Sequence, residues 1–381
     1  MAIFEKRYLF EAVSEDLRKK MVFVGGPRQV GKTTFALSLL KNGSKTHPAY
    51  FNWDIQGKRQ AMREGIFPPH EGLLIYDEVH KFARWRGLMK GLFDQYGPEK
   101  AFLVTGSARL DHYRKGGDSL QGRYHYYRLH PFSAVEASSH PTRNDIDQLL
   151  QLGGFPEPFL SGSEKTLRRW QKERLERVIY EDVRDLEQVK EISLIETLTE
   201  DLPRRIGSPL SVKSVREDLG VAHETAERWI TILENLYVVF RIAPYGTPKI
   251  RAVKKEQKLY CWDWAQVSDE GARFENLVAC QLLKFCHFVE DTEGHRMELR
   301  YLRDTDKREI DFVVLKDQKP IFAVECKRSE TTPTPAAQYF RERSKIPKFF
   351  QVHLGNHHVG DENKAVRIMP FHLFCQELRL P

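Results

Sequence analysis

The sequence predicts an α/β protein whose first domain is built on a parallel sheet. One observation is a short apolar run at residues 21–24, which leads through a glycine-rich turn into a helical pattern. Another is an apolar run at residues 73–76 that ends in two acidic residues, as a buried central strand would. The third is length, because 381 residues are enough for two or three domains, each with its own core.

The composition is that of an ordinary soluble protein, with 30% charged and 41% hydrophobic residues. No apolar run approaches the roughly 20 residues of a membrane helix, and the charged first 20 residues are unlike a secretory signal. No C-x-x-C spacing occurs among the five cysteines, which predicts a cytoplasmic protein with reduced thiols and without a zinc site. The net charge of +7 permits a nucleic-acid partner without requiring one.

The glycine-rich turn fits the phosphate-loop pattern G-x-x-x-x-G-K-[ST] at every defined position. Its residues are Gly26, Pro27, Arg28, Gln29, Val30, Gly31, Lys32 and Thr33, followed by Thr34. A strand, a turn and a helix start direct backbone N–H groups at one point, which attracts phosphate. Lys32 is expected to reach the outer phosphates of ATP and the Thr33 hydroxyl to bind Mg²⁺. A glycine loop that merely turned the chain would leave Lys32 and Thr33 unexplained.

The apolar run at residues 73–76 ends in Asp77 and Glu78, which is a Walker B pattern. Ligands of open α/β sheets bind at the carboxyl ends of the strands, where Asp77 is expected to lie. Asp77 is expected to hold Mg²⁺ through its water shell, and Glu78 to activate the attacking water. A strand that ends in an acidic turn is the alternative, but the nearby phosphate loop disfavours it.

A further apolar run at residues 102–104 ends in hydroxyl side chains. Thr105 or Ser107 is therefore a candidate sensor of the γ-phosphate, although Ser107 is equally suited to cap a helix. A glycine-rich segment then ends at Arg123, ahead of a predicted strand at residues 124–129. Arg123 is either a group that stabilises transition-state charge, in its own chain or in a second copy, or a solvated surface arginine.

In their order and spacing, these motifs resemble those of an AAA-type ATPase. More narrowly, the chain resembles a prokaryotic family of AAA ATPases that carry a C-terminal domain of unknown function. Further family-like stretches lie at residues 130–133, 153–157, 180–183 and 258–274. The resemblance implies an ATPase domain over residues 1–140 with ATP and Mg²⁺ as cofactors, and it leaves a homo-oligomer open.

The middle of the chain is predicted to be helical over residues 141–207, followed by a winged helix-turn-helix over residues 208–263. The linker pattern predicts helices at residues 165–190 and 194–206. The order in the second part is helix, glycine break, helix and hairpin. Its elements are expected at residues 212–219, Gly220, 223–236, 238–242 and 258–262.

DNA contact is a natural inference for such a module, but the second of its helices is acidic on its outer face. Glu224, Glu227 and Glu234 stand there against Arg228, and acidic side chains repel phosphate. Basic residues of the wing loop are better candidates for DNA contact: Lys249, Arg251, Lys254, Lys255 and Lys258. The sequence favours neither DNA contact nor protein packing over the other.

Residues 264–381 are predicted to form an α/β domain with the order α-β-β-β-α-β, which resembles the restriction-endonuclease core. Helices are expected at residues 271–285 and 336–343. Strands are expected at residues 298–302, 309–315, 320–326 and 349–354. Because side chains alternate along a strand, Glu309 and Asp311 share a face, as do Glu325 and Lys327.

These residues resemble the PD-(D/E)xK nuclease motif, with Ile310 in place of its proline. The resemblance implies that Glu275, Asp311 and Glu325 hold Mg²⁺ or Mn²⁺, and that Lys327 orients or deprotonates the attacking water. Two alternatives are a surface hairpin of alternating charge and a nuclease fold kept only for assembly. The sequence thus supports two hypotheses, an ATPase joined to a DNA-cutting nuclease and a nucleotide-dependent switch that cuts nothing.

Overall fold

The computed structural model describes most of the chain, namely residues 7–106, 120–183, 191–246, 257–328, 332–356, 358 and 366–381. The chain divides into two compact units, residues 1–130 and 131–381. The predicted domain borders at residues 140, 207 and 263 remain predictions. Some residues named above lie outside the described ranges: Ser107, Lys249, Arg251, Lys254 and Lys255.

The first unit contains a parallel sheet whose described strands follow the order β2-β3-β4-β1-β5. The strands are β1 (Met21–Gly25), β2 (Tyr50–Asn52), β3 (Leu73–Asp77), β4 (Ala101–Thr105) and β5 (Tyr124–Arg128). All of β1 is buried, because β4 pairs with it on one side and β5 on the other. The apolar runs of the sequence become the central strands for this reason, since neither edge of such a strand faces water.

Helices separate these strands along the chain. They are α1 (Phe10–Asp16), α2 (Lys32–Ser38), α3 (Gln56–Glu64) and α4 (Trp85–Tyr96). The sequence analysis expected α2 but assigned no element to α3 or α4. Charged residues dominate the pattern of α3, and Met62 is its buried residue, so the periodic signal there is weak.

The second unit begins with a helical part. Its helices are α5 (Ala134–Ala137), α6 (Arg143–Leu152), α7 (Pro156–Ser161), α8 (Glu164–Arg177), α9 (Ile192–Asp201), α10 (Val212–Leu219) and α11 (His223–Asn235). The helix predicted over residues 165–190 is α-helical as far as Arg177 and continues as a π-helical turn, Val178–Val183, while residues 184–190 lie outside the described ranges. The predicted helix at residues 194–206 likewise ends as a 3₁₀ turn, Leu202–Arg205, where Pro203 has no N–H to donate.

The sheet of the second unit runs in the order β12-β11-β10-β9-β8-β6-β7 across its described strands. They are β6 (Val239–Pro244), β7 (Lys258–Cys261), β8 (Met297–Arg303), β9 (Glu309–Lys316), β10 (Lys319–Lys327), β11 (Phe349–His353) and β12 (Arg367–Pro370). The β6–β7 hairpin joins this sheet through parallel pairing of Ala243 and Pro244 with β8. The hairpin predicted to be a wing is therefore continuous with the C-terminal sheet.

Three more helices accompany this sheet: α12 (Glu270–Glu293), α13 (Pro335–Arg343) and α14 (Phe371–Glu377). The Asp269 side chain accepts a hydrogen bond from the backbone of Ala272 and caps α12, which extends well beyond the predicted end at residue 285. Buried side chains of β9, β10, α13 and β11 form one apolar cluster, which includes Val313 and Phe340. Within the described residues, no helix is long and apolar enough to cross a membrane.

Candidate nucleotide site and carboxylate cluster

The phosphate loop follows β1 and depends on two glycines with positive φ. Gly26 has φ +138°, and a Cβ there would lie 2.3 Å from the carbonyl oxygen of Leu129. Gly31, with φ +95°, turns the chain into α2 in the left-handed region. Side chains at either position would strain the backbone, so glycine at both keeps the loop tight.

The side chain of Lys32 folds back across this loop. Its Nζ donates to the carbonyl oxygens of Gly26 (3.0 Å) and Pro27 (2.7 Å), and the residue is buried. On the other side of the loop, the Arg7 guanidinium donates to the carbonyl oxygen of Val30 at 3.0 Å. These contacts from Lys32 and Arg7 hold the loop in shape. The Lys32 ammonium lies against the carbonyl oxygens of its first two residues.

Asp77, at the end of β3, joins the phosphate loop to the sheet. Thr33 Oγ1 donates to Asp77 Oδ2 at 2.9 Å, and Thr105 Oγ1 donates to Asp77 Oδ1 at 2.6 Å. Thr105 faces Asp77 because the two residues are register partners on the parallel strands β3 and β4. The structure therefore brings together three residues that the sequence analysis selected, and Thr105 orients the Asp77 carboxylate.

Two further residues of this site were missed by the sequence analysis. Tyr50 Oη donates to Asp77 Oδ2 at 2.6 Å, and Asn52 Nδ2 lies 3.1 Å from Tyr50 Oη and 3.4 Å from the same carboxylate oxygen. Burial and the neighbouring Asp77 raise the pKa of Tyr50, so its hydroxyl remains a donor. A signal existed in the alternation of β2, which puts both polar side chains on one face beside Asp77.

Glu78 is the first residue after β3. Its φ of +58° is uncommon for a residue other than glycine. Its Oε2 lies 3.4 Å from His80 Nε2 and 3.8 Å from Lys81 Nζ. Burial, and then the charge of Asp77, raise the pKa of Glu78 above its ordinary value. A carboxylate that binds protons more readily is better suited to accept one from water.

Arg123, the candidate for stabilising transition-state charge, forms an ion pair within the first unit. Its Nε donates to Asp94 Oδ1 at 2.7 Å, and its side chain is one-third exposed. This pair would have to open before the guanidinium could reach a nucleotide. The catalytic role of Arg123 stays a prediction.

A second group of polar residues lies at one end of the sheet in the second unit. We call it the carboxylate cluster and define it as Glu275, Glu309, Asp311 and Glu325, with Lys258 and Lys327. The acids come from α12, β9 and β10, while the lysines open β7 and end β10. Antiparallel pairing of β9 with β10 brings the start of one strand to the end of the other. The four residues that resemble a nuclease motif, Glu275, Asp311, Glu325 and Lys327, all belong to this cluster.

Lys258 occupies the middle of the carboxylate cluster, with no exposed surface. Its Nζ lies 2.5 Å from Glu309 Oε1, 3.2 Å from Glu275 Oε1 and 3.6 Å from Asp311 Oδ1. Those three carboxylates raise the pKa of Lys258 against the effect of burial, so the lysine is an ammonium. The proposal that Lys258 contacts DNA from a wing loop is therefore wrong, because the side chain is buried between acids.

Glu325 and Lys327 form the outer part of the cluster. Lys327 Nζ lies 3.1 Å from Glu325 Oε1, and Asp311 Oδ2 accepts the backbone N–H of Cys326 at 2.8 Å. The other oxygen, Glu325 Oε2, is buried and has no hydrogen-bond partner among the described residues. Burial and the charge of Asp311 raise the pKa of Glu325 to about 8, although Lys327 opposes that shift.

The donor set is one that Mg²⁺ or Mn²⁺ prefers, but its arrangement does not match a metal site. Among the described residues, no group of three or more His, Cys, Asp or Glu side chains is placed so that it could hold a metal ion. Glu275, Glu309 and Asp311 instead gather around the Lys258 ammonium. The predicted metal role of Glu275, Asp311 and Glu325 therefore stays a prediction that this arrangement does not fit.

The acidic face of α11 also has an explanation in the structure. Arg241 on β6 donates from Nη1 to Glu227 Oε1 at 2.7 Å and from Nη2 to Glu234 Oε2 at 2.6 Å. These acids tie α11 to the hairpin. Two of the charges that argue against a DNA-binding helix are therefore partners of a nearby arginine.

Three family models match successive parts of the chain. Residues 18–138 match an AAA domain, residues 143–267 a domain of unknown function (DUF8612), and residues 270–374 another (DUF4143). An uncharacterized protein of Methanocaldococcus jannaschii, MJ1637, is 30% identical over 355 residues, which cover 74% of this chain and 73% of that protein. The chain belongs to the same family as MJ1637. Its AAA domain makes it an AAA-type phosphate-loop ATPase by family, which confirms that part of the resemblance together with the α/β class.

More distant matches add no functional detail. Uncharacterized protein Rv2008c of Mycobacterium tuberculosis is 23% identical over 250 residues, which are 65% of this chain and 55% of that protein. The chain thus spans about half the length of that relative. An Aeropyrum pernix ORC1 structure in complex with DNA is 14% identical, with 72% of this chain and 91% of that chain covered, and its TM-score of 0.32 is too low to support any argument.

The family models also show in which matched region of this chain each of the two sites lies. The phosphate loop, Asp77 and Glu78 lie in the AAA domain. The four acids of the carboxylate cluster lie in the last region of unknown function, whereas Lys258 comes from the preceding one. The winged-helix and nuclease-like interpretations of these regions remain proposals.

Proposed function

We propose that the chain binds Mg·ATP at the phosphate loop and hydrolyses it. The observation that carries this proposal is the 2.9 Å hydrogen bond from Thr33 Oγ1 to Asp77 Oδ2. It joins the Walker A hydroxyl to the Walker B carboxylate, two groups 44 positions apart. A hydroxyl and a carboxylate side by side are oxygen ligands of the kind Mg²⁺ takes beside nucleotide phosphates, directly or through its waters.

The residues divide the work of hydrolysis between binding and chemistry. Lys32 neutralises the outer phosphates, while Thr33 and Asp77 hold Mg²⁺, which withdraws charge from the phosphate oxygens when bound. Glu78 accepts a proton from water as its oxygen attacks the γ-phosphorus and the bond to the ADP oxygen breaks. Thr105, Tyr50 and Asn52 orient Asp77 through its two carboxylate oxygens.

Glu78→Gln tests the division between binding and chemistry. The variant should bind ATP as the wild type does and lose at least about 100-fold in turnover, because an amide accepts no proton from water. Glu71→Gln, which alters an acid of the same unit outside the site, should keep full turnover. Loss of ATP binding in Glu78→Gln would show that Glu78 has a structural role instead.

A second candidate function is metal-dependent cleavage of DNA by the second unit. It is favoured by the convergence of Glu275, Asp311, Glu325 and Lys327, with Glu325 Oε2 buried and unbonded within the described part of the chain. It is opposed by the Lys258 ammonium, which already pairs with Glu275 and Asp311 and with the neighbouring Glu309. A switch that contacts DNA or a second copy of the chain without cleavage is the alternative.

Nicking of supercoiled plasmid by the purified protein in Mn²⁺ separates cleavage from the switch. Cleavage predicts nicking by the wild type and none by Asp311→Ala, which removes the proposed metal ligand on β9. Equal nicking by both proteins would assign the activity to a contaminant or to another site. No nicking by either protein would leave the ATPase with a non-cleaving second unit.

A further inference from the structure

The carboxylate cluster contains its own cation. Lys258 is completely buried, and three carboxylate oxygens from α12 and β9 lie within 3.6 Å of its Nζ. A buried ammonium is stable only with such partners, and half-buried carboxylates packed this closely need a positive charge in turn. Lys258 thus does electrostatically what a bound metal would do among the same acids.

The geometry of these contacts makes simultaneous occupancy unfavourable. Mg²⁺ binds carboxylate oxygens at about 2.0–2.1 Å, so an ion shared by Glu275 and Asp311 would lie next to the Lys258 ammonium. Two cations a few ångströms apart in a buried site repel each other strongly. Among the described residues these acids form no metal-binding arrangement, and the Lys258 ammonium lies within 3.6 Å of both Glu275 and Asp311.

We infer that Lys258 and a divalent cation compete for the carboxylate cluster, so that the cluster opens to metal only when the Lys258 ammonium is displaced. The inference rests on the second candidate function only in taking these acids as metal ligands. A second observation points the same way, because Glu325 Oε2 is buried at the cluster without a hydrogen-bond partner in the described part of the chain. The cluster therefore has one carboxylate oxygen without a partner in addition to the three oxygens that Lys258 contacts.

The backbone contacts of Lys258 indicate which movement would displace it. Lys258 opens β7, the strand at the end of the described sheet order. Its backbone forms a bridge with Pro209, and the N–H of Leu210 donates to the carbonyl oxygen of Gln257 at 2.7 Å. Pro209 and Leu210 lie just ahead of α10. A movement of these two residues would therefore move Lys258, the residue whose ammonium opposes metal binding in the cluster.

Mn²⁺ binding by wild type and Lys258→Met tests the competition. Calorimetry and the Mn²⁺-dependent shift in melting temperature should both show at least about tenfold tighter binding by the variant, because a repelling charge has been removed. Lys284→Met serves as the control, since it removes another buried lysine, which is paired with Glu136 away from the cluster. It should bind Mn²⁺ as the wild type does.

Equal or weaker Mn²⁺ binding by Lys258→Met would overturn the inference. If that variant does not fold without metal, Lys258→Gln together with Glu309→Gln removes one charge of each sign and keeps Glu275, Asp311 and Glu325, and tighter Mn²⁺ binding is again expected. Tighter binding supports the competition whether or not the variant nicks DNA. Nicking tests the second candidate function alone, so the two failures are distinguishable.

Discussion

At the scale of single residues, the nucleotide site depends on how Asp77 is held. Both of its carboxylate oxygens accept hydrogen bonds, from Thr105 on one side and from Thr33 and Tyr50 on the other. A carboxylate with that many donors is held in one orientation. The metal geometry at a phosphate-loop site is sensitive to such support.

Tyr50→Phe should raise the Mg²⁺ concentration needed for half-maximal ATP hydrolysis, by about tenfold. The reason is that a hydrogen bond to a charged group contributes about 1.5–3 kcal/mol, part of which orients Asp77. Steady-state hydrolysis measured against Mg²⁺ concentration checks this. Tyr76→Phe is a matched control, because Tyr76 is also buried in the sheet and its hydroxyl has no hydrogen-bond partner among the described residues. If ATP hydrolysis by both variants depended on Mg²⁺ concentration in the same way, Tyr50 would have no role in holding Asp77 for Mg²⁺.

Glu325 makes the stability of the second unit depend on pH. Its pKa rises from 4.5 to about 8 in the folded protein, mainly through burial and Asp311. Between these values the folded state binds more protons than the unfolded state, so the free energy of unfolding should fall as pH rises through that window. Denaturant midpoints at pH 5 and pH 8 measure the effect. Glu325→Gln should reduce the difference between the two midpoints, and an unchanged difference would contradict the assignment.

At the scale of elements, local patterns predicted the sheet strands better than the polar contacts between them. The phosphate loop and the acidic end of β3 are contiguous in sequence, so the chemistry of each is visible without the fold. Tyr50 and Lys258 gain their roles from strand pairing and from acids far along the chain. The alternation of β2 marks its polar face, but a single sequence does not show which strand pairs with it. Lys258 follows a basic segment, a pattern typical of a solvated loop.

The α11 helix and the β6 strand are joined by Arg241, whose side chain is mostly buried. Arg241→Met should lower the free energy of unfolding by about 2 kcal/mol, because Glu227 and Glu234 lose charged hydrogen bonds. Chemical denaturation gives this value. Arg216→Met on α10 is the control, since its exposed pair with Glu217 is worth little. A double-mutant cycle with Glu234→Gln should show coupling, and additive losses would mean that the pair is not formed.

At the scale of the whole molecule, the chain joins an AAA domain to a larger unit with its own sheet. The sequence predicted most of the described strands, because apolar runs and glycine breaks are local features. It missed the continuity of the β6–β7 hairpin with the C-terminal sheet, which depends on two residue pairs between β6 and β8. Pairing of that kind is determined by tertiary packing, and neither strand alone carries a signal for it.

We expect the loop from Gly26 to Thr33 to bind Mg·ATP together with Asp77. The most direct measurement is the thermal unfolding of wild type, Lys32→Ala and Lys45→Ala with and without Mg·ATP. A ligand at 100 times its dissociation constant stabilises a protein by about 2.7 kcal/mol, so the wild type and Lys45→Ala, which alters an exposed lysine, should both melt at a higher temperature. Lys32→Ala should show no shift. An equal shift in all three proteins would contradict the account.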